Sequence, residues 1–216
     1  MKEINEEALN RLRGEVMGAM SPKRFRHTVA VEQMTERLCR LFCPEETMKM
    51  RAAALLHDVT KELKTDEQIT LCHALGLSVT EADCLAPKTF HARTAAARIA
   101  VDFKDFADST VIDAVRWHTT GHAGMTLTEK LLYLADYIDM SRTFPNCVLL
   151  RRYFWGAEPE GMTADERLTL LRDTLILSYD MTVRDLLDEG LPVAEDTMKA
   201  RNELLLEKAK AEMRNV

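Results

Sequence analysis

The segment RAAALLHDVTK, residues 51–61, ends an apolar stretch by placing an imidazole directly beside a carboxylate. His57 and Asp58 are both costly to remove from water unless a partner satisfies them. Asp58 also stands at the C-terminal end of a predicted helix, where a negative charge opposes the helix dipole. A positive charge close to this pair would account for it.

Two further polar groups occupy apolar helical faces. His27 shares the inward stripe of its helix with Val31, Met34 and Leu38, where a hydrogen-bonded core histidine is the simpler interpretation. Asp136 lies in the strongly apolar segment KLLYLADYID. A carboxylate without a partner there costs several kcal/mol or takes up a proton.

One divalent cation would account for all of these groups, because imidazole nitrogens and carboxylate oxygens together suit iron, manganese, zinc and similar ions. His91 opens the segment HARTAAARIA, and His118 ends STVIDAVRWH. The whole series arrives on five successive helical segments, which is typical of a site inside a helical bundle. Its members are His27, His57, Asp58, His91, His118 and Asp136.

The elements that must position these groups all carry helical periodicity, and no segment alternates with period two, so the sequence predicts an all-α protein. Three starts match the capping-box pattern: Thr65 with Gln68, Thr126 with Glu129, and Thr163 with Glu166. Predicted helices cover about 4–19, 22–42, 44–59, 65–75, 90–103, 109–118, 127–140, 164–188 and 195–213. The stretches 84–89, 119–125 and 141–162 are the least regular, and we expect ligand contacts there.

Length and composition indicate one globular domain with a sizeable core, since the chain has 216 residues, 46% of them apolar and 30% charged. A net charge of −6 argues against coating of nucleic acid. The five cysteines form no CxxC pair and predict reduced thiols. Because we find neither a signal peptide nor an apolar run long enough to span a membrane, we expect a cytoplasmic protein.

The ordered series His, His-Asp, His, His, Asp resembles the HD-domain phosphohydrolase superfamily. The segments KRFRHTVAV, LLHDVTKEL, AVRWHTTGHAGMT, EKLLYLADYIDMSRTFP and DTMKARN more closely resemble the YqeK family of symmetrical bis(5'-nucleosyl)-tetraphosphatases. The resemblance spans about residues 20–205, whereas RRYFWGAEPEGMT fits the family less well. It implies a single HD-domain bundle over 20–205, with residues 1–19 as an N-terminal helical extension and 206–216 as the end of the C-terminal helix.

The resemblance also implies roles for individual residues. The metal ligands would be His27, His57, Asp58 and Asp136, with iron as the expected ion and manganese or a similar ion as the alternative. His91 and His118 match positions that hold a second metal or touch the substrate phosphate, and sequence does not separate these roles. The residues expected to contact phosphates are Arg24, Lys61, Arg142 and Thr119, and the expected catalytic residues are Asp58, Lys61, His91 and His118.

The implied reaction is hydrolysis of diadenosine tetraphosphate to two ADP by water that the metal activates. One alternative is an HD phosphohydrolase acting on another nucleotide, and the other is a nucleotide-binding sensor with little turnover. The expected ligand is a dinucleoside polyphosphate or ADP, with neither nucleic acid nor membrane as a partner and a homodimer left open. His73 and His122 fall outside the metal series, and the run containing Thr197, Arg201 and Asn202 fits the family but is equally explained by packing.

Overall fold

A computed structural model describes residues 3–214, which form eleven α-helices and no strand within that range. The predicted all-α class is confirmed. The predictions for 1–19 and 206–216 extend to residues 1, 2, 215 and 216, which lie outside the described range. The helices are α1 Glu6–Ala19, α2 Pro22–Phe42, α3 Thr47–Leu56, α4 Thr65–Ala74, α5 Glu81–Leu85, α6 Phe90–Asp102, α7 Ser109–Trp117, α8 Leu127–Ile138, α9 Pro145–Gly156, α10 Ala164–Asp188 and α11 Glu195–Arg214.

Side-chain caps set several helix starts. The predicted capping boxes at Thr126 and Thr163 are confirmed, and each hydroxyl accepts from the backbone N–H three residues later. The box predicted at Thr65 is wrong by one residue. Helix α4 starts after Lys64, whose backbone N–H donates to Glu67 Oε2 at 2.7 Å, so Glu67 and not Gln68 closes that start.

The core of the bundle is formed by α2, α3, α7 and α8. Helix α2 packs against α3 and α8, and α7 packs against α3, α6 and α8. Buried side chains from all four meet in one cluster that includes Leu38, Leu55, Val115 and Leu132. These are the helices that carry or immediately precede most of the predicted chemical groups, so the core holds them in a fixed relation.

A buried ion-pair cluster attaches α1 to the bundle. Glu32 on α2 is 2% exposed and receives Arg13 Nη2 of α1 at 2.6 Å and Arg51 Nε of α3 at 3.0 Å. Two guanidinium partners satisfy the buried carboxylate, which unpaired would be strongly destabilising. Helix α1 is therefore held to the bundle by charge as well as by its apolar side chains Leu9, Leu12 and Val16.

Two of the stretches predicted to be irregular are partly helical, because α5 overlaps 84–89 and α9 lies within 141–162. Pro145 occupies the first helical position, where a missing N–H costs nothing. Cys147, Leu150 and Phe154 then bury one face at helical spacing. The surrounding Arg and aromatic residues obscured that stripe.

Two helices also end earlier than predicted. Helix α3 stops at Leu56 instead of Val59, and Pro44 begins only a short 3-10 turn before it. Helix α8 stops at Ile138, two residues before the predicted end. Both ends fall next to chemical groups, so His57, Asp58 and Asp139 lie in the turns that follow. No helix within residues 3–214 is long and apolar enough to cross a membrane.

Candidate metal centre

Five helices bring the predicted groups to one place inside the bundle. His27 comes from the second turn of α2, and Asp136 from the last turn of α8. His57 and Asp58 follow α3, His91 lies in the first turn of α6, and His118 follows α7. His57, Asp58, His91 and His118 are buried, with at most 3% of each exposed.

The nitrogen and oxygen atoms of this cluster form two overlapping groups that share His57. In the first group, His27 Nε2 lies 2.9 Å and His57 Nε2 lies 3.8 Å from Asp136 Oδ1. In the second, His57 Nε2 lies 3.4 Å from Asp58 Oδ2, and His118 Nε2 lies 3.8 Å from Asp58 Oδ1. Within each group the potential ligand atoms all lie within 4.8 Å of one another.

Backbone carbonyls fix the orientation of two of these imidazoles. His57 Nδ1 lies 2.6 Å from the Ala54 carbonyl, and His118 Nδ1 lies 2.7 Å from the Val115 carbonyl. Each Nδ1 therefore carries the proton and donates it, which leaves Nε2 as a lone pair facing the cluster. Among the described residues, the buried His57 Nε2 forms no hydrogen bond, and the buried His27 Nε2 lies 2.9 Å from Asp136 Oδ1. Two inward-facing imidazole nitrogens beside two carboxylates fit a divalent transition-metal ion.

Both carboxylates stay ionised. Burial raises the pKa of Asp136, but the Arg142 guanidinium, with Nη2 at 2.5 Å from Oδ1, helps to hold that pKa well below its usual range. Burial also raises the pKa of Asp58, but electrostatic contacts and hydrogen bonds with His57 and the neighbouring imidazoles outweigh burial and hold that pKa well below its usual range. Arg24 Nη1 lies 2.5 Å from Asp58 Oδ2. The cluster therefore presents two negative charges to any ligand.

Neighbouring negative charges also shift the pKa of His27. Burial lowers the pKa of His27, but the adjacent carboxylates of Asp136 and Asp139 outweigh burial and raise it to about 9. The same carboxylates that favour a proton on this imidazole favour any other cation at that position.

His91 connects the cluster to a polar edge. His91 Nε2 lies 3.0 Å from His118 Nε2, 3.4 Å from Asp58 Oδ1 and 3.1 Å from the Thr119 hydroxyl. Lys61 Nζ stands 3.2 Å from the same nitrogen. Burial and the Lys61 charge lower the pKa of His91, and burial lowers the pKa of Lys61. These positions fit contact with an anionic ligand, which would offset the Lys61 charge.

A cavity of about 720 Å³ opens beside the cluster, which is within the usual range for a small-molecule site. Its inner end is lined by Lys61, His118, Thr119, Asp136 and Arg142. Its outer end is lined by the charged side chains of Lys88, Asp185 and Glu189 and by apolar side chains that include Leu85, Pro87, Phe144, Pro145, Leu186 and Leu191. The cavity therefore suits a ligand with a charged part and an apolar part.

The structure brings every predicted site residue to this cluster or its edge. Arg24 pairs with Asp58 but is not among the described residues that line the cavity. His122 bonds to Glu129 at 3.1 Å outside the cluster, and His73 lies exposed on α4. Thr197 lines the cavity and donates to the Thr120 carbonyl at 3.1 Å.

Sequence reasoning missed two groups. Asp139 is fully buried beside His27, and the exposed Phe144 lines the outer cavity. The only signal for Asp139 is its spacing of three residues from Asp136, which a helical wheel places on the same side.

The profile of the HD domain matches residues 24–141, which is more than half of the chain. A symmetrical bis(5'-nucleosyl)-tetraphosphatase of Halalkalibacterium halodurans is 30% identical over 199 residues, which cover 90% of this chain and 98% of that protein. The chain belongs to the HD-domain family. The matched range of this HD-domain protein begins at Arg24 and ends at Ser141, so it contains all six groups of the cluster.

A second relative and a solved structure are also similar to this chain over most of its length. A symmetrical bis(5'-nucleosyl)-tetraphosphatase of Staphylococcus aureus is 31% identical and covers 83% of this chain and 89% of its own. A crystal structure of a predicted HD superfamily hydrolase from Clostridium acetobutylicum, described as involved in NAD metabolism, superposes with a TM-score of 0.78. It is 29% identical and covers 92% of this chain and 97% of its own. The HD fold of this chain therefore extends far beyond the matched range.

Proposed function

We propose that this chain is a metal-dependent hydrolase that cleaves dinucleoside tetraphosphates symmetrically, converting diadenosine tetraphosphate and water into two ADP. The observation that carries the proposal is the cluster of inward-facing imidazoles and carboxylates at the inner end of a 720 Å³ cavity. Two relatives of about 30% identity, covering most of the chain, are named for this reaction. The HD domain would be residues 20–205, with residues 1–19 as an extension.

The metal ligands would be His27, His57, Asp58 and Asp136. Their mixed nitrogen and oxygen donors support a divalent ion, for which we propose iron, with manganese as the alternative. When bound, such an ion lowers the pKa of water toward neutrality and polarises a phosphoryl oxygen. Metal stoichiometry decides the role of His91 and His118: two equivalents assign them a second ion, and one equivalent assigns them the substrate phosphate.

The cations around the cluster would bind the tetraphosphate chain. Lys61 and Arg142 line the inner cavity, and Arg24 stands behind Asp58. Their charges would offset the charge that develops on the attacked and leaving phosphates, which is the main contribution in phosphoryl transfer. Thr119 would donate its hydroxyl to a phosphate oxygen from the same edge.

Asp58 would orient the attacking water and accept its proton. Its carboxylate lies within 4 Å of the Nε2 atoms of His57, His91 and His118, so it faces the centre of the cluster. Its lowered pKa keeps it ionised and able to accept a hydrogen bond from water.

The outer cavity would hold one nucleoside. Phe144 is 66% exposed and Leu85 is also 66% exposed, and both line this end of the cavity. A planar base covers such side chains by stacking, and aromatic contacts of that kind stabilise binding by about 1–3 kcal/mol per base. The second nucleoside would extend from the cluster in another direction.

The deciding experiment is anaerobic purification with metal analysis, followed by product identification from diadenosine tetraphosphate. ADP as the sole product, with activity that tracks bound metal, supports the proposal. AMP with ATP would indicate asymmetric cleavage, and turnover of another nucleotide in a substrate panel would indicate a different HD phosphohydrolase. Tight ADP binding without turnover in iron-loaded, reduced protein would indicate a sensor. Turnover at the normal rate by metal-free protein would contradict the proposal.

We also propose that the chain works in the reducing cytoplasm. All five cysteines are free thiols, and four of them are buried in the bundle. Free buried thiols of this kind are usual in reducing compartments.

A further inference from the structure

Asp139 is a buried charge that the helix before it does not explain. It caps the C-terminal end of α8, is 0% exposed and therefore sits where the helix dipole disfavours a carboxylate. Desolvation of such a group costs several kcal/mol unless partners compensate it. The contacts of the Asp139 carboxylate should therefore compensate its desolvation.

The two oxygens of the Asp139 carboxylate have different neighbours. Its Oδ1 accepts from the Ser141 backbone N–H at 2.7 Å and from the Ser141 hydroxyl, which closes a turn after α8. Its Oδ2 has no hydrogen-bond partner among the described residues, and it lies 3.4 Å from His27 Nδ1 and 3.4 Å from Arg142 Nε. One oxygen therefore accepts the hydrogen bonds of the turn, and the other lies between the His27 imidazole and the Arg142 guanidinium.

His27 differs from the other imidazoles in what orients it. His57 and His118 each donate Nδ1–H to a carbonyl of their own helix, three residues earlier. His27 Nδ1 instead faces Asp139 Oδ2 and the Ser141 hydroxyl, which lies 3.2 Å away. The three imidazoles thus share one arrangement, with a Nδ1–H acceptor behind each ring and Nε2 in front, but only His27 has a carboxylate there, supplied by the turn after α8.

We propose that Asp139 is the positioning residue that holds the His27 proton on Nδ1 and directs His27 Nε2 to the cation. This inference rests on the proposed metal-dependent function. A carboxylate behind a ligating histidine fixes its tautomer and makes it more basic, and removing such a partner costs 10–100-fold in metal affinity in comparable sites.

Asp139→Asn separates this role from a structural one. The amide oxygen can still accept from the Ser141 N–H, so the turn is preserved. The amide NH₂ then faces His27 Nδ1 and, as a donor, favours the tautomer protonated at Nε2, which cannot bind a cation. We expect the affinity for Mn²⁺ alone, measured by electron paramagnetic resonance with a competing chelator, to fall about 10–100-fold. Asp188→Asn, also at a helix C-terminal end but exposed, is the matched control and should leave the affinity unchanged.

A second measurement does not depend on how the variant folds. In wild-type protein labelled with ¹⁵N-histidine and loaded with ¹¹³Cd²⁺, we expect spin coupling between cadmium and His27 Nε2. Coupling at Nδ1 overturns the inference, as does an Asp139→Asn protein that binds Mn²⁺ like the wild type. Wild-type protein that binds neither ion overturns the proposed function and this inference together, whereas wild-type binding with an unaffected variant overturns this inference alone.

Discussion

At the scale of single residues, the site contains a carboxylate among the imidazoles and a lysine at the cavity edge. Substituting each of them should have a different effect. Asp136 lies against two imidazoles, whereas Lys61 lies at the cavity edge near His91. Loss of a ligand and loss of a phosphate contact should therefore affect metal content and turnover differently.

Asp136→Ala should abolish both metal binding and turnover. Lys61→Ala should retain the metal and lower kcat about 10²–10³-fold, the usual cost of removing one group that stabilises developing charge. Metal analysis and steady-state kinetics on the same samples measure both effects. Lys64→Ala, an exposed lysine three residues further on, is the control. Metal loss in Lys61→Ala would contradict the division of roles.

Gly121 offers a second test at this scale. Its φ is +62°, and an added Cβ would overlap the hydroxyl of the buried Tyr179. Gly124 also has a positive φ, +81°, but a Cβ there meets nothing within 4 Å. We expect Gly124→Ala to lower the free energy of unfolding by about 1–2 kcal/mol through backbone strain alone. Gly121→Ala should cost roughly 1–3 kcal/mol more through overpacking. Equal losses in urea denaturation would show that Tyr179 moves aside freely.

At the scale of elements, the end of α8 is held by α9. Arg151 Nε donates to the Ile138 carbonyl at 2.8 Å, and Nη2 donates to the carbonyls of Asp139 and Arg142, the latter at 2.8 Å. These carbonyls belong to the segment that supplies Asp136 and Arg142. Helix α9, absent from the sequence-based prediction, therefore fixes one wall of the site.

Arg151→Met should release this segment while keeping the aliphatic stem. Carbonyls that lose a charged donor cost about 1.5–3 kcal/mol, so we expect a loss of stability of that order together with weaker Mn²⁺ binding. Thermal denaturation and Mn²⁺ titration measure the two effects. Arg152→Met is the control, because Arg152 is exposed on the same helix. Unchanged Mn²⁺ affinity in a destabilised Arg151→Met protein would limit α9 to a purely structural role.

At the scale of the whole molecule, the cation site joins helices that are far apart in the chain. Residues from α2, α8 and the turn after α3 meet at one point inside the bundle. A bound ion would thus connect elements across the core, and its binding free energy would add to the stability of the fold.

Metal removal should therefore lower the melting temperature. Free Mn²⁺ at 100 times its Kd adds about 2.7 kcal/mol, which corresponds to roughly 5–10 °C for a chain of this length. Calorimetry in a chelator and in a Mn²⁺ series measures the shift. Asp136→Asn should melt at the same temperature with and without Mn²⁺. A wild-type protein that showed no dependence on Mn²⁺ would contradict a site inside the bundle.

The sequence by itself determined the helical class, most helix positions and the ordered series from His27 to Asp136, because periodicity, caps and spacing are local properties that a linear chain displays. It did not reveal α9, whose buried stripe is masked by exposed aromatic and basic residues.

Only the tertiary structure decided which atoms meet. The distances from His27 to Asp136 and Asp139, the carbonyls behind His57 and His118, and the apolar outer cavity all depend on how distant helices pack. A carboxylate at a helix end looks the same in sequence whether it faces solvent or an imidazole. Packing alone buried Asp139 and placed it behind His27.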